Sequence, residues 1–452
     1  MFEIQTTHNI AADMKVFDDN IVASACEQMN VTDLASASIG EVLLVAAHLE
    51  STTGIPFIRM DQGSPGLPAN AYGVEAEKQA LDAGVGSQYP PADGIPELKD
   101  AASRFVKAFL DVDISPLACL PTTGSVAGSF ASFIACTQRI PGKDKILFIN
   151  PGFPMQKSQL VVLGIGWKEF DIYDYRGASK LRAKLEEELA TGDVAGVIYS
   201  NPNNPAWICL TEDELKVIGE LATEHDFIVL EDLAYFCMDV RKDYGKPFEP
   251  PFVPTIARYT DNYMIMLSSS KIFSYAGQRI ALLCVSDSLY HSHSPYMAQR
   301  YEASDCFGVN LVHSILYMIT SGCTSSTQYA YAKMLDLSCD GALDFVADIS
   351  EYARRAERMK DIFLRHGFHI VYDKDVDQKV GDGFFFSLGF GSMTSEELAV
   401  NLMYYGVSSI SLSTTGSLQQ GVRACTSRMR EDLYPILEQR MSEFEKDYKE
   451  YL

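Results

Sequence analysis

The chain has 452 residues, 47% of them hydrophobic, enough for one large α/β domain with a sizeable core plus a smaller domain. Its formal net charge of -23 argues against nucleic acid or an anionic membrane surface as partner, since both require clustered positive charge. An anionic ligand would need a site made locally positive against that background. No apolar run reaches membrane-span length, and the first fifteen residues lack the basic-then-apolar pattern of a secretory leader. Ten cysteines, scattered from Cys26 to Cys425, show no CxxC and no framework spacing. Reduced thiols in a cytoplasmic protein are the expectation.

In chain order, residues 39–50 read as a helix. Residues 97–110 place Leu98, Ala101, Ala102, Phe105 and Phe109 on one helical face. Residues 146–149 are a buried strand, 181–189 a helix with Leu at 181, 185 and 189, and 194–199 the next strand. Thr211 and Glu214 form a capping box that opens a helix running to about 225. Apolar strands follow at 227–230, 263–267 and 280–285. This alternation predicts a mostly parallel sheet covered by helices, an α/β fold. In such sheets ligands bind beyond the carboxyl ends of the strands. The last third differs: a charged helix over 347–366, strand-like HIVYD and GDGFFFSLGF, and a second capping box at Thr394 and Glu397. VSSISL, GVRACTS and a terminal helix complete it. It reads as a smaller α+β domain. The expected division is a large domain over 72–315, with 1–71 and 316–452 forming the small one.

The informative places are where strands run into polar residues. The strand 194–199 ends in SNPNNPAW, where two Asn-Pro pairs force a turn and present Asn204. Taken alone, this is only a turn. The strand 227–230 ends in Glu231-Asp232, then Leu233-Ala234-Tyr235; Asp232 suits either a cationic ring nitrogen or a helix N-cap. The strand 263–267 ends in Ser268-Ser269-Ser270-Lys271, and a lysine at the mouth of a core is a candidate for imine chemistry. Ser268 and Lys271 also match SxxK, but its SDN and KTG companions are missing. Arg279, eight residues on, suits a bidentate phosphate contact. Upstream, Thr123-Gly124-Ser125-Val126 opens a small-residue helix, whose backbone N–H groups form an anion site. No P-loop is present, and Gly84-Val85-Gly86 is no dinucleotide fingerprint. His291 and His293 lack a third ligand at metal spacing, so no metal is expected.

Together these pieces, over roughly residues 55 to 430, resemble the class I/II aminotransferases, the fold type I pyridoxal-phosphate enzymes. The resemblance implies that Lys271 carries pyridoxal 5'-phosphate as a Schiff base and moves the substrate proton. It implies that Gly124, Ser125, Val126, Ser268 and Arg279 bind the phosphate. Asp232 then partners the pyridine nitrogen, Tyr235 and Asn204 the ring oxygen, and Phe153, in NPGFP, stacks on the ring. Tyr89 matches the tyrosine that reaches the neighbouring subunit's site, which implies a homodimer. Arg423, in GVRACTS, matches the arginine that binds the substrate carboxylate, with Asn204 beside it and Gly63 on the segment that closes over it. The turn here is NPAW rather than NPTG. No arginine falls where dicarboxylate-specific members bind a side-chain carboxylate, Arg300 excepted, so a neutral or aromatic amino donor is expected. The reaction implied moves an amino group between an L-amino acid and a 2-oxo acid. The alternative is a lyase on the same cofactor, performing β- or γ-elimination or decarboxylation. A binding protein that keeps the fold without chemistry is a third reading, disfavoured by the short acidic N-terminal segment.

Overall fold

The structure is a computed structural model that describes residues 15–452. The N-terminal stretch on which the absence of a leader was argued lies, up to residue 14, outside the described residues.

Among the described residues, seven strands form the principal sheet: β1 (Cys119–Thr122), β2 (Lys145–Asn150), β3 (Gly166–Asp171), β4 (Val194–Ser200), β5 (Ile228–Leu233), β6 (Tyr263–Ser268) and β7 (Ala281–Val285). Their spatial order is β1-β7-β6-β5-β4-β2-β3. Only β7 runs against the others, pairing antiparallel with β1 and β6. The strands are short and, β3 apart, largely apolar, and nearly every residue of β1, β4, β5, β6 and β7 is buried. That continuous burial is expected of a sheet covered on both faces.

The sheet reverses its strand order between β4 and β2, so the carboxyl ends there open onto a crevice. Register aligns the ends: Ser200 lies opposite Asp232, and Ser268 opposite Ala281. β5 extends further than its apolar run because Glu231 is satisfied inside the core. Its carboxylate accepts from Tyr199 Oη at 3.1 Å, Thr255 Oγ1 at 2.5 Å and the Ile256 backbone N–H. Pleat alternation turns the next residue, Asp232, to the opposite face.

A second, antiparallel sheet has the order β10-β11-β9-β8, from β8 (Phe368–Ile370), β9 (Phe385–Phe390), β10 (Ile410–Ser411) and β11 (Val422–Cys425). It packs with the long helix Phe345–Arg365 and the terminal helix Tyr434–Asp447 around Met359, Phe363, Phe386 and Leu437. VSSISL, expected as one strand, divides at Ser409. Val407–Ser408 pairs parallel with Ile58–Arg59, and Ile410–Ser411 joins the second sheet. The helix Ile39–Thr53 seats Val42, Val45, Ala46 and Leu49 against Met403 and Ile410, as expected of a helix packing with the C-terminal layer.

The segment just after residue 316 packs towards the principal sheet. The helix Ser325–Cys339 lies on the helices Ala71–Asp82 and Pro96–Leu110, and Tyr331, Met334, Leu335 and Phe345 belong to the core of the principal sheet. The second core takes over only from Ala356. Local periodicity shows that the Ser325–Cys339 helix exists but not which core its apolar face will join.

Candidate active site

Beyond the strand ends lies a cleft of about 330 Å³. Its lining includes Gly63, Ser125, Val126, Phe153, Asn204, Asp232, Tyr235, Ser268, Lys271, Arg279 and Arg423. Residues spread over 361 positions of sequence thus converge on one space. Two of the expected set are not among the lining residues. Gly124 stands behind Ser125, and Tyr89 is 90% exposed and apart from the cleft. Arg300 is exposed and does not line it either.

One wall is built for an anion. Gly124, at φ 74°, is the N-cap of the helix Ser125–Thr137. A Cβ on Gly124 would stand 2.2 Å from the Arg279 guanidinium, so only glycine lets that charge approach the helix start. Ser125 Oγ is buried and has no hydrogen-bond partner. Arg279 donates to the Ala276 carbonyl at 2.9 Å and meets no carboxylate within salt-bridge distance among the described residues. Ser268 caps the short turn that carries Lys271, accepting from the Ser270 N–H at 3.2 Å.

The opposite wall holds Asp232, nearly buried at the end of β5. Its Oδ1 accepts from the Ala234 N–H at 3.1 Å and its Oδ2 from Gln156 Nε2 at 3.0 Å. Burial raises its pKa to about 6, against the lowering effect of those two donors. It caps a turn, not a helix, and among the described residues no cation pairs with it. Tyr235 is buried among Trp207, Phe384 and Phe385. Burial drives its phenol well above the ordinary value, so it stays protonated and can donate.

Lys271 points its amine at the Gly63 carbonyl and lies 5.3 Å over the Phe384 ring. Burial pulls its pKa to about 8, with the Arg423 and Arg279 charges adding to the shift. At neutral pH a useful fraction of a nucleophilic amine is thereby present. Arg423, on β11, is buried. It donates to Asn204 Oδ1 at 3.3 Å and to the Asp61 carbonyl, and it lies 4.8 Å over Phe385. Its Nε has no partner. The Asp61 carboxylate, by contrast, is engaged by Arg59 and Ser408.

A small molecule that carries a phosphate, a basic ring nitrogen and an aldehyde fits this donor set. The unpartnered Ser125 hydroxyl, the Gly124 cradle, the cation-free Asp232 and the anion-free Lys271 supply its counterparts. Sequence reasoning missed Gln156, which lies in the helix Pro154–Leu163 just after Phe153. It also missed Ile39 and Leu43, which line the cleft from the Ile39–Thr53 helix. Their i, i+4 spacing was visible, but not that this face looks into the cleft. Of the three consecutive phenylalanines 384–386, all buried, Phe385 lines the cleft, Phe384 underlies Lys271, and Phe386 is in the second core.

The arrangement defines an α/β enzyme-like scaffold whose fold is that of solved aminotransferases. An aminotransferase from Mycobacterium tuberculosis superposes with a TM-score of 0.73 at 19% identity, covering 92% of this chain and 98% of that one. A double mutant of Thermus thermophilus aspartate aminotransferase gives 0.72 at 17% identity, covering 91% and 96%. The sequence profile of the family described as aminotransferase class I and II matches residues 59–434. The chain belongs to that family. It is 25% identical over 232 residues to a probable aspartate aminotransferase of Methanocaldococcus jannaschii, spanning 51% of this chain and 58% of that protein. It is 24% identical over 325 residues to an asparagine–oxo-acid transaminase of Streptococcus mutans, spanning 70% and 74%.

Proposed function

We propose that the protein is a pyridoxal-phosphate-dependent aminotransferase moving an amino group between an L-amino acid and a 2-oxo acid. One observation carries this reading: Asp232, Lys271 and Arg423 face one cleft, largely withdrawn from water, and among the described residues none has a partner of opposite charge. Such groups are costly unless a ligand completes them. When bound, pyridoxal phosphate supplies a carbonyl for the amine and a protonated ring that withdraws electrons from the substrate α-carbon.

The chain's own residues do the rest. Gly124, Ser125, Val126, Ser268 and Arg279 hold the phosphate, and Phe153 stacks on the ring. Asp232 balances the ring nitrogen's proton, while the Tyr235 hydroxyl and the Asn204 amide donate to the ring oxygen. Arg423 forks the substrate carboxylate and, with Gly63 closing over it, sets the direction of the breaking bond. Lys271 would hold the cofactor through its amine; once freed by the substrate amine, that amine would take the proton from the substrate α-carbon and release it to the carbon that carried the cofactor's aldehyde. Lys271, Arg279 and Arg423 make the cleft positive within an acidic protein, as an anionic substrate requires.

Two further parts belong to the proposal. The exposed Tyr89, near the exposed Tyr72 and Leu81 in sequence, suits a homodimer in which Tyr89 completes the partner's phosphate site. Ten free cysteines suit the cytoplasm. Among the described residues no helix is long and apolar enough to cross a membrane.

A half-reaction screen tests the reading. Each amino acid is mixed with the cofactor-loaded protein, and conversion to the pyridoxamine form is followed by absorbance. A donor that converts the wild type should fail with Lys271→Ala by more than about 10⁴-fold, since base and anchor are both lost. Ammonia released without an oxo-acid acceptor would instead identify a lyase, and absence of any cofactor absorbance would sink the proposal.

A further inference from the structure

In the proposed function Asp232 presents an anionic oxygen in a fixed direction from a buried position that raises its pKa. Two donors oppose that tendency. One is the Ala234 N–H, fixed by the backbone. The other is the Gln156 amide, 3.0 Å from Oδ2, on a side chain only 6% exposed. Gln156 lies in the first turn of the helix Pro154–Leu163, whose N-cap is Phe153. Three residues on, on the same helix face, Gln159 repeats the device towards the other wall. It accepts from Ser129 Oγ at 2.8 Å and donates to the Val126 carbonyl at 2.6 Å, in the first turn of the helix Ser125–Thr137. One short helix therefore grips both the carboxylate and the anion-binding turn.

We infer that Gln156 is a positioning residue that orients Asp232 and keeps it ionised, so that the bound cofactor's ring nitrogen is the only counter-charge. The inference rests on the proposed function. An amide suits this task because it donates at every pH and brings no charge. An arginine there would satisfy the carboxylate itself and weaken its hold on the ring. An aliphatic side chain would leave Oδ2 buried without a donor and favour the neutral acid.

The test compares two ligands on the cofactor-free protein. One is pyridoxal phosphate, and the other is its analogue with the ring nitrogen replaced by CH. Affinities of wild type, Gln156→Leu and Gln159→Leu are measured by spectral titration at pH 7.5. Gln156→Leu should weaken pyridoxal phosphate about tenfold or more, as expected for losing a hydrogen bond to a charged group. It should leave the analogue's affinity unchanged within about twofold, because the analogue cannot use Asp232. Gln159→Leu should weaken both ligands alike. If the leucine variant does not fold, Gln156→Asn, one methylene shorter, serves in the same comparison. Equal losses for both ligands, or none, would overturn the inference. A wild type that binds neither ligand would overturn the proposed function instead.

Discussion

Two buried charge clusters of the molecule are built on opposite principles. Beside the helix Glu212–His225, Arg176 donates to both oxygens of Glu214 at 2.9 and 3.0 Å and to Asp375 at 3.0 Å. Arg241 lies 2.8 Å from the other Asp375 oxygen. Burial opposes both carboxylate charges: at Glu214 the Arg176 hydrogen bonds and charge outweigh it and hold the pKa low, whereas at Asp375 burial still raises the pKa against the two arginines. This network ties the hairpin around Asp375 to the principal sheet's layer. In the cleft the charges are as deeply set but uncompensated: Asp232 moves up and Lys271 moves down, each towards its neutral form. Paired charges hold a fold together, whereas unpaired ones reserve their energy for a ligand.

That contrast can be broken by mutation. Arg176→Ala leaves Glu214 and Asp375 buried without their shared cation and should cost about 3–5 kcal/mol of stability. Lys271→Met removes a charge that has no partner and should leave stability unchanged or raised. Urea unfolding of the two cofactor-free variants measures both; a comparable loss in each would erase the distinction.

A pH series sharpens it. Asp232 has a higher pKa folded, about 6, than the ordinary carboxyl value of 3.8. Between those values the native state binds more protons than the unfolded one, so stability falls as pH rises from about 4 to 6. A two-unit shift corresponds to on the order of 3 kcal/mol. Glu231, raised to about 7 by burial, titrates in an overlapping window. The contribution of Asp232 is therefore the difference between wild type and Asp232→Asn. The variant should show a flatter dependence over this range, and identical curves would contradict the assignment. Lys271 works the other way: its folded pKa of about 8 makes the cofactor-free protein gain stability as pH rises from 8 towards 10.5.

The smallest effect concerns Tyr89, which has no place in either cluster. In the proposed dimer its hydroxyl adds one phosphate contact, so Tyr89→Phe should weaken pyridoxal phosphate several-fold, about 1 kcal/mol. A variant with unchanged cofactor affinity would remove Tyr89 from the site.

Much of this architecture was legible because its signals are local. The capping boxes at Thr211–Glu214 and Thr394–Glu397 form as the spacing predicts, and each apolar run became a strand. The cleft's ligating candidates were legible for a related reason: each strand end announces itself by a switch from apolar to polar residues. Gln156, Ile39 and Leu43 gave no such sign. A glutamine in a helix looks like a solvated residue, and an apolar helix face shows that it will be buried but not against what.

The sequence by itself therefore determined the helices and strands, the α/β class and the residues offered at the strand ends. These follow from periodicity, capping and turn chemistry, which act over a few neighbouring residues. Only the tertiary structure decided that the Ser325–Cys339 helix joins the first core and that VSSISL divides between two sheets. It also decided that Gln156 meets Asp232 across 76 positions. Such pairings depend on which buried surfaces and unsatisfied polar groups the folded chain brings within reach of one another, and no local pattern encodes that choice.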